Sequence, residues 1–148
     1  MICSYDYDML IHTHKYFYTL GGTGGVHRGG ELSLDVSTDL IELSRTPLVV
    51  ISAGVKSILD VKKTLEVLET YAVPTGTWKS DEFPAFFSPQ SGVQSPSRFD
   101  SADDVASAYL IGKELGLENG MLVVSLIVHI LCTKYKNITE MISFTGCS

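Results

Sequence analysis

Residues 21–56 decide the fold: they read GGTGGVHRGGELSLDVSTDLIELSRTPLVVISAGVK. The stretch ends in an apolar run at residues 47–53 (PLVVISA), followed by a short turn that carries Lys56. A short, continuous apolar run rich in β-branched residues is typical of a strand that is buried on both faces, as in parallel sheets. We therefore predict a parallel α/β core, with Lys56 at the carboxyl end of one of its strands.

The first ten residues of this stretch form a glycine-rich segment. Six of the residues from 21 to 30 are glycines, and His27 and Arg28 lie among them. Glycines let backbone N–H groups approach an anion closely. The segment matches neither the P-loop nor the dinucleotide-binding fingerprint, because no Lys-Ser/Thr pair follows it and no strand clearly precedes it. A flexible surface turn is one interpretation; a ligand-binding loop, which His27 and Arg28 favour, is the other.

A polar cluster, DVSTD, follows the glycines. In an extended conformation Asp35, Ser37 and Asp39 would share one face. Alternatively, Ser37 caps a short helix that ends before Pro47, because proline disfavours the helical conformation in the residue before it. Both interpretations bring two carboxylates and a hydroxyl together. With the glycines and the strand-end lysine, this cluster suggests a phosphate-bearing substrate and amine chemistry.

Downstream of residue 56 the chain alternates helical and extended patterns. Apolar residues spaced three and four apart predict helices, and short apolar runs predict strands. A stretch rich in Pro, Ser and Phe has no period and predicts an ordered loop that covers another part of the molecule. Alternating strands and helices predict an α/β sandwich. The predicted elements are a helix at residues 57–71, a strand at 73–78, the ordered loop at 80–99, a helix at 101–115 with a capping box at Ser101 and Asp104, and a strand at 121–128.

The composition argues against several classes of protein. The chain has 148 residues, with 45% hydrophobic and 19% charged residues, which argues against disorder. Its net charge of −6 gives no basis for nucleic-acid binding. The apolar run at residues 121–132 is 12 residues long, whereas a membrane span needs about 20, so we expect no membrane segment. Three widely spaced cysteines and the lack of a secretory signal favour a reducing compartment, and we expect a cytoplasmic protein.

Several blocks of the sequence, taken in order, resemble one known family. The blocks are GGTGGVHRG, DVSTDLIELSRTP, AGVKSILD, TLEVLETYAVP and DEFPAFFS. Together they resemble the pseudouridine-5′-phosphate glycosidase family, also called pseudouridylate synthase or indigoidine synthase A-like. The resemblance implies an α/β/α sandwich, generally assembled as a homotrimer. It also implies reversible cleavage of pseudouridine 5′-phosphate to uracil and ribose 5-phosphate, with a divalent metal that is usually Mn²⁺.

The resemblance further implies a role for each chemically active residue. Lys56 would be the nucleophile that forms a Schiff base, and Asp39 would move protons and hold the substrate. Ser37 would contact the substrate phosphate, and His27 would face the base or the sugar. Asp35 would be the metal-associated carboxylate, because a carboxylate oxygen suits Mn²⁺ with water at the remaining positions.

The resemblance is lost at both ends of the matched core. Thr19-Leu20 stands where we expect alanine-threonine, and SLIV after residue 124 stands where we expect an asparagine- and proline-containing segment. The family's catalytic glutamate, phosphate-binding lysine and active-site asparagine have no match. We therefore expect unmatched flanks at residues 1–20 and 125–148, and a glycosidase-like core at 21–124 that is incomplete relative to the family's full domain. An incomplete gene model would explain this pattern. The alternative to an active enzyme is an inactive fragment that at most binds sugar phosphate or metal.

Overall fold

The computed structural model describes residues 17–126, which form seven strands and four helices. In chain order the elements are β1 (Phe17–Leu20), β2 (Val26–His27), α1 (Gly30–Ser33), α2 (Thr38–Arg45), β3 (Val49–Ser52), β4 (Leu59–Asp60), α3 (Val61–Thr70), β5 (Thr75–Trp78), β6 (Arg98–Phe99), α4 (Ala102–Glu114) and β7 (Met121–Val124).

Five of the strands form one sheet in the order β1-β3-β7-β5-β6. Every neighbouring pair in this sheet is parallel. In the register of the sheet, Val50 of β3 lies between Tyr18 of β1 and Leu122 of β7. Strands β2 and β4 form a separate antiparallel pair. The parallel sheet confirms the prediction made from the apolar run at residues 47–53.

Helices pack on both faces of the sheet, which confirms the predicted α/β/α sandwich. Leu40 of α2 and Leu68 of α3 belong to the same buried cluster as Val50 on one face. Val105 of α4 belongs to the cluster of Val49 on the other face. Because successive strand residues point to opposite faces, the neighbours Val49 and Val50 enter different layers. This burial on both faces explains why β3 and β7 are continuous apolar runs.

Helix α2 has the boundaries that its capping residue predicts. Ser37 is the N-cap, and its Oγ accepts a hydrogen bond from the Asp39 backbone N–H at 3.3 Å. The helix ends at Arg45, ahead of Pro47. The capping interpretation of the polar cluster is confirmed. The extended interpretation is wrong, because the backbone is helical from Thr38 onward.

The second predicted cap and the ordered loop are also present. Ser101 Oγ accepts from the Asp104 backbone N–H at 3.1 Å, and the Asp104 carboxylate accepts from the Ser101 N–H at 2.8 Å. This reciprocal pair is the predicted capping box of α4. The loop between β5 and α4 buries Phe83 completely, as expected of a segment that covers the core. The short strand β6 at its end was not predicted.

Helix α3 begins later than the predicted boundary at residue 57. Asp60 caps it, and the Asp60 carboxylate accepts a hydrogen bond from the Lys63 backbone N–H at 3.0 Å. Leu59 and Asp60 pair with β2, so this segment is extended rather than helical. Ile58, which the helical pattern placed on the buried face, is 65% exposed. The pairing of two distant segments therefore overrides the local helical pattern.

Two strands also differ from the predictions. Strand β7 ends at Val124 and not at residue 128. The Ser125 N–H still donates to the Ser52 carbonyl at 2.8 Å, but β3 has ended at Ser52, and Gly54 with a φ of +112° lies outside the extended conformation. Strand β1 lies in a segment for which the sequence predicted no regular element.

Some features of the sequence lie outside the described residues. They include Cys3, Cys132 and Cys147, and the apolar run after residue 126. Between residues 17 and 126, no helix has the length and apolar character needed to cross a membrane.

Candidate functional site

The predicted site residues lie near the carboxyl end of the sheet, where β1 and β3 end side by side. A glycine loop (residues 21–25) follows β1, and the turn before Lys56 follows β3. The Thr23 N–H donates to the Gly54 carbonyl at 2.9 Å, and the Lys56 N–H donates to the Thr23 carbonyl at 3.1 Å. The two segments thus continue the parallel pairing beyond the sheet. In open parallel sheets ligands bind outside this end of the strands.

The glycine loop is a packed element, so its interpretation as a flexible surface turn is wrong. Thr23, Gly24 and Gly25 are all buried. The Gly25 carbonyl accepts a hydrogen bond from the Ser37 N–H at 2.9 Å. Immediately after the loop, the Val26 N–H donates to Thr64 Oγ1 at 2.9 Å. The loop is therefore fixed between helices α2 and α3.

Two glycines of this loop border the predicted site residues. A Cβ atom added at Gly24 would lie 2.1 Å from Ser37 Oγ and 2.7 Å from Asp39 Oδ2. A Cβ atom added at Gly22 would lie 3.2 Å from Lys56 Cγ. Lys56, Ser37 and Asp39 thus reach the same short stretch of backbone. A side chain at either glycine would occupy the space that these groups take.

Asp39 and Ser37 are oriented by backbone groups. The Gly24 N–H donates to Asp39 Oδ2 at 2.8 Å, which holds the half-buried carboxylate against the loop. A carboxylate held in this way can accept and return a proton. Ser37 Oγ accepts from the Asp39 N–H, and a hydroxyl that accepts one bond still has its own O–H to donate. A phosphate oxygen is a suitable acceptor for that O–H.

His27 and Asp35 form a second and more exposed pair next to the glycine loop. The His27 N–H donates to the Asp35 carbonyl at 3.0 Å, so the two backbones run side by side. His27 Nδ1 lies 3.8 Å from Asp35 Oδ2, and the side chains are 44% and 60% exposed. Both groups are therefore open to a ligand approaching from solvent.

A metal at this site would have few protein ligands. Within residues 17–126 no group of three or more His, Cys, Asp or Glu side chains is placed to hold a metal ion. Asp35 is an exposed carboxylate with the His27 imidazole beside it. One carboxylate with a nearby imidazole is compatible with Mn²⁺ or Mg²⁺ that keeps several of its waters. The residues fit a water-rich metal site on Asp35 and do not fit a closed protein cage.

Arg28 adds positive charge at the edge of the site. Its Nη2 donates to the Ser57 carbonyl at 3.3 Å. The pKa of the Asp60 carboxyl lies below its usual range, mainly because of the hydrogen bond from the Lys63 backbone N–H. The side chain of Lys63 and, to a smaller extent, the charge of Arg28 lower it further. An exposed guanidinium here favours an anionic ligand.

Sequence reasoning missed a buried hydroxyl pair beneath the turn before Lys56. Thr23 Oγ1 donates to Ser52 Oγ at 2.6 Å, and the Gly54 N–H also donates to Ser52 Oγ, at 3.0 Å. Thr23 and Ser52 are 1% and 0% exposed. Buried hydroxyls are almost always hydrogen-bonded. A serine ending an apolar strand and a threonine between glycines were the signals that could have pointed to this pair.

Phe86 was missed as well. It lies in the ordered loop, and its ring atom Cε2 would be 2.3 Å from a Cβ atom added at Gly22. The ring and the Lys56 side chain therefore occupy neighbouring positions against one glycine. The only sequence signal was the pair of phenylalanines in a loop rich in proline and serine.

Comparisons with known proteins agree with this fold. The family model described as "Indigoidine synthase A like protein" matches residues 14–145. A pseudouridine-5′-phosphate glycosidase from Legionella pneumophila is 51% identical over 106 residues, which cover 72% of this chain and 34% of the relative. A protein of the same name from Arabidopsis thaliana is 52% identical over 105 residues, covering 71% of this chain and 32% of the relative.

Solved structures show the same relationship. An indigoidine synthase A-like protein from Thermotoga maritima superposes with a TM-score of 0.65 at 44% identity, over 72% of this chain and 35% of the other. The prealnumycin C-glycosynthase AlnA, in complex with ribulose 5-phosphate, superposes with a TM-score of 0.69 at 37% identity over the same shares. The chain spans about a third of the length of the relatives it matches. Because the family model matches most of its residues, the chain belongs to the indigoidine synthase A like family.

Proposed function

We propose that this chain carries the reactive lysine of an enzyme that cleaves pseudouridine 5′-phosphate, reversibly, to uracil and ribose 5-phosphate. The observation that carries the proposal is the glycine loop, which borders Lys56 at Gly22 and binds Asp39 at Gly24. The name of a relative that is 51% identical supports the reaction. The ribulose 5-phosphate bound by a structural neighbour supports a sugar phosphate as the substrate class.

The chemistry explains why a lysine is needed. The glycosidic bond of pseudouridine joins two carbons, so protonation of a glycosidic oxygen, as in ordinary glycosidases, is not available. A neutral amine can form a covalent intermediate instead. The Lys56 amine attacks carbon 1 of the ribose, and the ring oxygen leaves as a hydroxyl after taking a proton.

Bond cleavage then follows from the new carbon–nitrogen bond. The nitrogen first loses a proton; its lone pair then forms a double bond to carbon 1 while the bond to carbon 5 of the uracil breaks, and the uracil carbon takes a proton. Water adds to the resulting iminium, which releases ribose 5-phosphate and restores the Lys56 amine. The net reaction consumes one water for each uracil released.

The remaining residues support this sequence of steps. Asp39, oriented by the Gly24 N–H, would move the protons that the ring oxygen and the uracil carbon require. Ser37 would donate its hydroxyl to a phosphate oxygen, and His27 would face the base or the sugar. Asp35 would hold Mn²⁺ or another divalent metal, which supplies positive charge near the anionic substrate when it is bound. The family resemblance further predicts a homotrimer, and the widely spaced cysteines favour the cytoplasm.

Binding without turnover is the second candidate function. The relatives are about three times as long as the matched region, so other groups of their active sites could lie outside it. A chain with Ser37, Asp35 and Lys56 but without the expected glutamate, lysine and asparagine would hold a sugar phosphate without cleaving the nucleotide.

Borohydride reduction in the presence of ribose 5-phosphate tests the proposal. Reduction converts a Schiff base into a stable secondary amine, and peptide mass spectrometry locates it. We expect the adduct on Lys56, and we expect Lys56→Ala to reduce it at least about 100-fold because the nucleophile is gone. Lys62→Ala, on the exposed side of α3, is the matched control that keeps the adduct.

The two candidate functions differ in a second assay. Release of uracil from pseudouridine 5′-phosphate with Mn²⁺ present supports the enzyme, whereas an adduct without uracil release supports binding alone. A folded wild-type chain that forms no adduct at Lys56 would overturn the assignment of the nucleophile.

A further inference from the structure

Phe86 has an unusual backbone conformation next to the proposed nucleophile. Its φ is +58°, in the left-handed region that bulky residues rarely adopt. A tight turn holds it there: the Ala85 N–H donates to the Ser88 carbonyl at 2.8 Å, and the Phe87 N–H donates back to the Ala85 carbonyl at 2.6 Å. Non-glycine residues in this region persist only where the surrounding structure holds them, and they cluster at functional sites.

The turn that contains Phe86 packs against both segments of the proposed site. The Phe86 ring lies on Gly22 of the glycine loop, and the same glycine borders Lys56 Cγ. On the other side, a Cβ atom added at Gly54 would lie 3.1 Å from the Pro84 carbonyl and 3.5 Å from the Phe86 nitrogen. Gly54 itself has a φ of +112°, which suits a glycine only. Phe86 therefore lies beside both the glycine loop and the turn that delivers Lys56.

A second aromatic ring lies beside Phe86, and it is more exposed. Phe87 packs edge-on against Phe86, with ring centroids 4.4 Å apart and an interplanar angle of 82°. Phe87 is 66% exposed, whereas Phe86 is partly covered. Of these two rings, Phe86 is the more covered, and Phe86 is the one whose ring borders Gly22.

We propose that Phe86 is a positioning residue for Lys56. Its ring forms an apolar wall beside the lysine stem, which limits the directions the amine can take and excludes water from that side. A glycine or a short residue at this position would leave that side of the lysine open. The inference deepens the proposed function and rests on Lys56 being the nucleophile.

The test measures the rate of borohydride trapping with ribose 5-phosphate in four forms of the full chain: wild type, Phe86→Gly, Phe86→Leu and Phe87→Ala. Glycine is favoured at a φ of +58°, so Phe86→Gly removes the ring without opposing the turn. Circular dichroism and thermal unfolding check that each variant is folded. Phe87→Ala is the control from the same turn.

We expect Phe86→Gly to lower the trapping rate at saturating ribose 5-phosphate by about 10-fold or more, because a misplaced reacting group slows the step. The half-saturating concentration should change less than about threefold, since the ring is not proposed to bind the phosphate. Phe86→Leu, which restores apolar bulk, should recover most of the rate, and Phe87→Ala should stay within about threefold of wild type.

Several results would overturn the positioning role of Phe86, and one would overturn the proposed function as well. Trapping by folded Phe86→Gly at the wild-type rate would overturn the positioning role, and so would an equal loss in Phe87→Ala. A change confined to the half-saturating concentration would overturn it too, because the ring would then serve binding. If wild type itself forms no adduct, the proposed function fails first, and the role of Phe86 fails with it.

Discussion

The two helical layers of the sandwich differ in what they pack and in what they carry. Among the described residues, the layer of α2 and α3 shares a cluster of eleven buried residues with the sheet, whereas the α4 layer shares six. All five predicted site residues lie between His27 and Lys56, on strand β2, on helix α2 or on the loops next to them. Helix α4 carries none of them, and Leu110 and Leu115 remain exposed near its end.

One glycine near the site and one glycine in helix α4 differ in the space around them. A Cβ atom at Gly25 would lie 2.4 Å from Thr64 Oγ1 and 3.0 Å from Val55 Cγ1, so the first layer leaves no space for one. At Gly112 of α4 the nearest atom would be Leu117 Cδ1 at 3.7 Å, an ordinary contact. Close backbone packing at Gly25 thus fixes the glycine loop beside the site, whereas helix α4 has no such close contact at Gly112.

The largest expected effect comes from substituting these two glycines. Gly25→Ala should destabilise the fold by about 3 kcal/mol, because the buried Thr64 cannot move away without losing its bond to the Val26 N–H. Gly112→Ala should stabilise it by about 0.5–1 kcal/mol, since alanine is the better helix former. Chemical denaturation measures both. Gly21→Ala, where nothing lies within 4 Å, is the control that should change little. Equal effects at Gly25 and Gly112 would contradict the contrast between these two positions.

A smaller difference in stability is expected when one hydroxyl hydrogen bond is removed on each side of the sheet. Ser52→Ala should destabilise by about 2 kcal/mol, because it leaves the buried Thr23 hydroxyl without its acceptor. Tyr109→Phe removes the bond from the α4 side to the Pro47 carbonyl and should cost about 1 kcal/mol or less, since Pro47 is exposed and water can replace the donor.

A double-mutant cycle sharpens this second prediction. Thr23→Val combined with Ser52→Ala should cost less than the sum of the single changes, with a coupling of about 1 kcal/mol, because the two hydroxyls satisfy each other. Additive losses would show that the hydroxyls act independently, against the 2.6 Å contact between them.

The smallest expected effect is the acid sensitivity of the two capping carboxylates. Asp60 caps α3 and Asp104 closes the capping box of α4, and the pKa of each lies below its ordinary 3.8. The main causes are the bond from the Lys63 backbone N–H for Asp60 and the bonds with Ser101 for Asp104. A carboxylate with a lowered pKa in the folded state stabilises above its ordinary pKa, and this contribution is lost as the pH falls through the folded value.

Asparagine variants measure these contributions, because asparagine keeps the cap but not the charge. At neutral pH the free energy of unfolding should be about 0.5 kcal/mol higher for wild type than for Asp60→Asn. The difference is small because solvent screens the charge of this partly exposed carboxylate. This difference should vanish well below pH 3.8, the ordinary pKa of the carboxyl. Asp104→Asn should show a smaller change, because this carboxylate is fully exposed. If the stability difference between wild type and either variant grows as the pH falls, the pKa of that carboxyl is not lowered in the folded state.

Much of the fold could be predicted from local patterns. The parallel strand β3, the capped helices α2 and α4, and the ordered loop after β5 all follow from apolar periodicity and capping residues. The start of α3 could not be predicted, because Leu59 is extended through its pairing with His27, a residue 32 positions earlier. For the candidate site, the sequence and the family resemblance supplied Lys56, Asp39, Ser37, His27 and Asp35 as predictions.

By itself the sequence determined the fold class and which side chains are chemically capable, since strand pattern, caps and residue type are local properties. Only the tertiary structure determined that the Phe86 ring and the Lys56 side chain both lie against Gly22. It also determined that Thr23 forms a hydrogen bond with Ser52, 29 residues away. Such contacts depend on how the ends of two parallel strands meet, and no short-range period records that geometry.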